Sequence, residues 1–172
     1  MFPIEDWSKE RVHNVMLDLL YSFNYTWFLM EEWLRKNCPE KLAHEGLMWL
    51  TDEFGVYEAK RLEKTVDENS KGIDRLILFL EHSHWAAFED VHITKLSDTR
   101  MRMATMNCTS QKAAGKWGME YYDCGEIALR LRSAFLKQVN PKATVTPLFV
   151  PPEKAGEGRS SDTACEWIIS IE

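Results

Sequence analysis

The spacing of the apolar residues changes once along this chain, near residue 90, and that change limits the fold more than any other feature. From Ser8 to Lys36, side chains such as Val12, Val15, Met16, Leu19, Phe23, Trp27, Met30 and Leu34 recur at helical spacing, with Ser8 or Asp6 placed to cap the first turn. Pro39 ends this run, because a proline keeps the residue before it out of the helical region. A second helix is expected over 39–54, and a third after Gly55 through "VYEAKRLEKTVDE". A short fourth follows over 73–82, through Ile73, Leu76, Ile77 and Leu80. Beyond it the alternation becomes two-fold. Val91 and Ile93 oppose Asp90, His92 and Thr94; after the turn "SDT", Met101 and Met103 oppose Arg102 and Ala104. That is the pattern of a hairpin.

The rest continues in the same terms. "SQKAAGKWGMEYYDCG" reads as irregular, 126–139 as a helix, and "ATVTPLFV" and "ACEWIISIE" as strands separated by a polar loop. The expected fold is therefore α+β, with N-terminal helices packed on an antiparallel four-stranded sheet in the order helices-β-β-α-β-β. Pro147 puts its strand at a sheet edge or at a bulge, and an apolar edge of that kind is compatible with a homodimer. A length of 172 residues fits one domain over 1–172.

Charge and cysteine usage narrow the function. The net charge is −6 with no basic block, which argues against nucleic acid and anionic membranes as partners, since both need concentrated Lys and Arg. No apolar run is long enough to span a bilayer, and "MFPIEDWSKERVH" lacks the apolar core of a signal peptide, so a cytoplasmic protein is expected. In that compartment Cys38, Cys108, Cys124 and Cys165 are expected as free thiols or ligands rather than disulfides. There is no CxxC, phosphate loop, dinucleotide fingerprint, serine elbow or HExxH. The common dehydrogenase, kinase, esterase and zincin readings fall away.

The remaining chemistry centres on "YYDCGEIALRL". Cys124 stands at the entry of the late helix, where free backbone N–H groups favour an anion and would lower a thiol's pKa. The alternative is a small core residue, and Asp123 beside it opposes a thiolate. Cys108 ends one strand and Cys165 lies within another, on a face with Trp167 and Ile169. Each reads as core; if the sheet gathers Cys108, Cys124 and Cys165, a thiolate-bound metal becomes the cofactor the sequence allows. Glu31, beside Glu32 on a tryptophan-rich helix, and the His44–Glu45 pair are candidate acids or bases, although both patterns also describe solvated helix faces.

A set of short motifs adds a resemblance. "TWFLMEE" at 26–32, "HEGLMW" at 44–49, "EAKRL" at 58–62, "CTSQKA" at 108–113, Cys124, "NP" at 140–141, "VPP" at 150–152 and "CEW" at 165–167 together resemble the L-2-amino-thiazoline-4-carboxylic acid hydrolase family. Thr109 stands where that family's pattern tends to have proline, and the strand before the double proline carries Thr146 and Val150 where many members have a cysteine. The resemblance implies a hydrolase that opens a cyclic amidine or related C–N/C–S ring. Its nucleophile would be thiolate Cys124, or a water activated by Glu31, His44 or Glu45. Arg102 or Arg130 would hold a substrate carboxylate, and the pocket, between the sheet and the N-terminal helices, would include Trp27 and Trp167. The layout is also similar to the ligand-binding domain of 4-vinyl reductases and TRAPP subunits, which implies a non-catalytic sensor or carrier of a small molecule, metal or cofactor.

Overall fold

The computed structural model describes residues 4–66, 69–116, 118–153 and 156–172. The chain divides into two compact units, Met1–Gly46 and Leu47–Glu172, and the division falls inside a helix. The first unit holds a short 3₁₀ turn at Ile4–Asp6, then α1 (Lys9–Asn37) and the start of α2 (Glu40–Leu62). Ser8 caps α1, its side chain accepting from the N–H of Arg11 at 3.2 Å. Val12, Met16, Leu19 and Phe23 of α1 are exposed, whereas Glu31 is its buried residue.

The helix expected to stop before Gly55 does not stop. α2 runs on to Leu62 as one helix. The glycine serves packing instead: a Cβ built on Gly55 would come within 2.8 Å of the carbonyl oxygen of Leu131 and 3.1 Å of the amide nitrogen of Phe135. Asp67 and Glu68, expected at the end of that helical stretch, lie outside the described residues.

The second unit continues with α3 (Gly72–Glu81), α4 (His84–Phe88), β1 (Asp90–Ser97) and β2 (Arg100–Met106). Then come α5 (Thr109–Lys116), α6 (Gly125–Val139), β3 (Ala143–Phe149) and β4 (Thr163–Ile171). The fold is α+β, with a four-stranded antiparallel sheet in the order β1-β2-β4-β3. Two of these helices were not expected, α4 and α5, and α5 occupies part of the stretch read as irregular. β3 is an edge strand, and its pairing slips between Pro147 and Phe149, so the proline sits at an edge and beside a bulge at once.

Register explains the core. Met101 and Met103 of β2 lie opposite Ile169 and Trp167 of β4, and all four are at most 1% exposed. Leu76, Phe79 and Leu80 of α3, Trp85 of α4, and Phe135 and Leu136 of α6 join them in one cluster. Burying each such side chain stabilises by about 1.5–3 kcal/mol, so this face of the sheet is where the fold is held. β4 is buried on its other face too, at Glu166 and Ile168.

Candidate functional site

Two residues after Thr105 and Met103 place the end of β2 in the core, the chain turns sharply. Asn107 takes a φ of 50°, a left-handed value that asparagine tolerates better than most residues, and its N–H bonds the carbonyl of Asp162 at 2.9 Å. Cys108 and α5 follow. The first N–H of α5, from Thr109, donates to both carboxylate oxygens of Glu89 at 3.1 and 3.0 Å, and the Thr109 hydroxyl donates at 2.5 Å. The Cys108 thiol faces the same carboxylate at 3.8 Å. Glu89, which precedes β1, thus caps a helix twenty residues away.

From α5, Gln111 clasps the segment leading into α6. Its side-chain amide donates to the carbonyl of Tyr122 at 2.7 Å and accepts from the Tyr122 N–H at 3.0 Å. The same Nε2 lies 3.8 Å from the sulfur of Cys124. Cys124 occupies the N-cap position of α6 but its side chain makes no capping bond. On β4, the sulfur of Cys165 accepts from the indole Nε1–H of Trp167 at 3.1 Å, and Thr105 of β2 lies directly opposite Cys165, next to a slip in the β2–β4 register. The three later cysteines come together here: Cys124 is close enough to both Cys108 and Cys165 for their charges to act on one another.

Among them lies a full positive charge. Arg132 of α6 is 6% exposed. Its guanidinium carbon sits 4.7 Å from the ring centre of Trp167 and 5.6 Å from that of Trp85, and one terminal nitrogen donates to the carbonyl of Ala128 at 3.2 Å. Among the described residues, two buried side-chain polar atoms have no hydrogen-bond partner: Nε of Arg132 and the hydroxyl oxygen of Thr105.

Burial sets the protonation of the rest. The Cys108 thiol is pushed up to about 12, by burial first and then by the Glu89 carboxylate. The Cys124 thiol is pushed up to about 11, by burial and then by Cys165, with Arg132 opposing. Burial also raises Glu89, against the hydrogen bonds from Thr109 and Cys108 and the charge of Arg132. At neutral pH the Cys108 and Cys124 thiols are therefore neutral, and the guanidinium is a cation.

For Cys124, where a lowered pKa is expected at a helix N-terminus, burial raises the thiol instead. Cys108, Cys124 and Cys165 do not form a metal-ligand set: among the described residues, no group of three or more His, Cys, Asp or Glu is arranged to hold an ion. The reason is visible in the bonding, with Cys165 taken by an indole N–H and Cys108 turned to a carboxylate. Arg102 is on the outer face of the sheet, paired with Glu166 at 3.4 Å. Arg130 is engaged by both carboxylate oxygens of Asp52 on α2. Trp167 is fully buried and belongs to the core as well as to the cluster.

Trp27, Glu31, His44 and Glu45 all belong to the N-terminal unit. Glu31 is buried, but Arg35 one turn on grips it at 2.9 and 2.7 Å. Glu45 is exposed beside Lys41 at 3.8 Å, and His44 is exposed. Sequence reading passed over Arg132, Thr105, Gln111 and Glu89. The first two carried a signal: Arg132 has Ala128, Phe135 and Leu136 at helical spacings, and Thr105 follows Met101 and Met103 on one strand face.

A protein-family model matches residues 27–171, most of the chain, and the chain belongs to that family, described as a family of unknown function (DUF6125). Among curated proteins none matches. Among the described residues no helix is long and apolar enough to cross a membrane.

Proposed function

We propose that this member of the DUF6125 family binds a small molecule through its second unit, at the cluster of Glu89, Cys108, Cys124, Arg132 and Cys165. One observation carries the reading: a guanidinium buried at 6% exposure between two tryptophans, with one polar atom unpaired. Taking an ion out of water costs several kcal/mol, and a helix face that only filled a core would carry leucine or methionine at that position. The stacked tryptophans offset part of that cost, since cation–π contacts reach about 2 kcal/mol when desolvated. They leave Nε without an acceptor. Neutral thiols and indole rings add a soft, polarisable lining suited to a small, partly apolar ligand.

Ring-opening hydrolysis, which the sequence resemblance implies, is the second reading. The observation that favours it is the company of Cys124: a side-chain amide donor at 3.8 Å and a nearby cation are groups that would stabilise a thiolate once a substrate had displaced solvent. A neutral resting thiol favours the binding reading over this one. Freshly purified protein examined by native mass spectrometry, absorption spectroscopy and metal analysis, together with a thermal-shift screen of small molecules, tests the proposal. A stoichiometric mass excess or a saturable rise in melting temperature is expected in the wild type and should be lost in Arg132→Met. No bound mass and no shift with any compound would overturn it.

A further inference from the structure

Two unpaired polar atoms border the same pair of residues, and that coincidence names the ligand chemistry. Thr105 lies directly across from Cys165, and the Cys165 sulfur is 3.1 Å from Nε1 of Trp167. The guanidinium of Arg132 lies over the Trp167 ring at 4.7 Å. Thr105 is 4% exposed and Arg132 6%, so both orphan atoms are out of reach of bulk water. One is an N–H on a permanent cation and the other a hydroxyl free to rotate; both can donate, and among the described residues no atom accepts. An unmade bond at a buried polar atom is destabilising, and native proteins leave few of them.

We infer that this cluster recognises a small singly charged oxyanion, a carboxylate or its isostere, which accepts from Nε of Arg132 and the hydroxyl of Thr105. The inference rests on the small-molecule reading above and deepens it. Charge count selects the single charge. Glu89 acts electrostatically on Arg132 from the same cluster, and its oxygens already take the N–H and hydroxyl of Thr109. Each negative charge brought in adds to those of Glu89 and, beside Cys124, Asp123, with the one guanidinium of Arg132 to offset them, so in a site with little water a monoanion is favoured over a dianion.

The test uses full-length protein titrated with sodium acetate, methanesulfonate, inorganic phosphate and the neutral isostere acetamide, at a pH of about 8.5 where phosphate is a dianion and at ionic strength held constant with sodium chloride, read by thermal shift and calorimetry. Acetate is expected to bind saturably and at least tenfold tighter than phosphate. Arg132→Lys keeps the charge but loses the planar Nε–H donor, and should weaken acetate at least tenfold. Thr105→Val should weaken acetate too, while leaving the melting temperature of the ligand-free protein equal or higher, because it removes an unpaired hydroxyl. A merely structural threonine would instead lower it. Acetamide binding as tightly as acetate would overturn the oxyanion but leave small-molecule binding standing. Phosphate binding more tightly than acetate would overturn the single charge. No saturable response to any of the four would overturn the inference outright, leaving a buried water or the indole faces to satisfy the two donors.

Discussion

Two glycines in one helix should respond to alanine in opposite directions. Gly46 and Gly55 both lie within α2, where replacing glycine by alanine ordinarily stabilises by about 0.5–1 kcal/mol, because the unfolded chain loses freedom. A Cβ on Gly46 meets nothing within 4 Å, so Gly46→Ala should realise that gain. A Cβ on Gly55 meets the Leu131 carbonyl oxygen at 2.8 Å, the Phe135 nitrogen at 3.1 Å and the Ala134 Cβ at 3.2 Å. The two nearest atoms are α6 backbone and cannot rotate away. Restoring an ordinary contact of 3.4 Å needs about 0.6 Å of separation between α2 and α6. Overpacking of this kind costs about 1–3 kcal/mol, so against the propensity gain the net loss is centred on about 1 kcal/mol and reaches at most about 2.5 kcal/mol. At about 2–4 °C per kcal/mol for a chain of this size, circular dichroism melts resolve the difference. Because Leu131 precedes Arg132, the displaced helix should also carry the guanidinium off its tryptophans, and acetate binding should weaken alongside stability. Equal stabilisation by both substitutions would refute the close approach of α2 and α6.

The buried thiols make a prediction about alkali. Cys108 and Cys124 sit at about 12 and about 11 in the fold against 9.0 in an open chain, so their stabilisation is complete below pH 9 and lost as pH rises through those folded values. Urea midpoints measured from pH 8 to 12 should fall more steeply in the wild type than in a Cys108→Ala, Cys124→Ala double variant, and iodoacetamide should leave both thiols unlabelled in native protein at pH 7.5. On the outer face of the sheet, Glu166 is 3% exposed and holds both Arg102 and Arg159. Glu166→Gln should free the loop carrying Arg159, seen as faster trypsin cleavage after that residue; an unchanged rate would show that the loop is held by other contacts.

How much of this was legible follows from how local each cause is. The strands, α1 with its Ser8 cap, and the edge position of Pro147 are written in spacing and turn chemistry that act over a few residues, and these the sequence displays. α5 was not legible, because "TSQKAAGK" has little helical pattern of its own and its first turn is completed by Glu89, twenty residues upstream. The continuity of α2 through Gly55 was hidden for the same reason, since the glycine answers to α6 and not to its neighbours. Arg130 looked like a free substrate clamp only because Asp52 lies 78 residues away.

Cys124 shows which force decides when local and non-local causes disagree. A helix N-terminus stabilises an adjacent anion by about 0.3–1 kcal/mol, and up to about 2 kcal/mol when partly buried. The rise from 9.0 to about 11 works the other way by roughly 3 kcal/mol, at 1.36 kcal/mol per pKa unit. The cap position is readable from "DCGEI", whereas burial depends on α5, β4 and Cys165 closing over the sulfur, and the larger effect wins. The cation of the cluster therefore belongs to Arg132, with the Glu89 carboxyl acting on it, and not to a thiolate pair. On the proposed reading, binding at this site would begin with what that guanidinium attracts, and a thiol there would act only after a bound group had altered its surroundings.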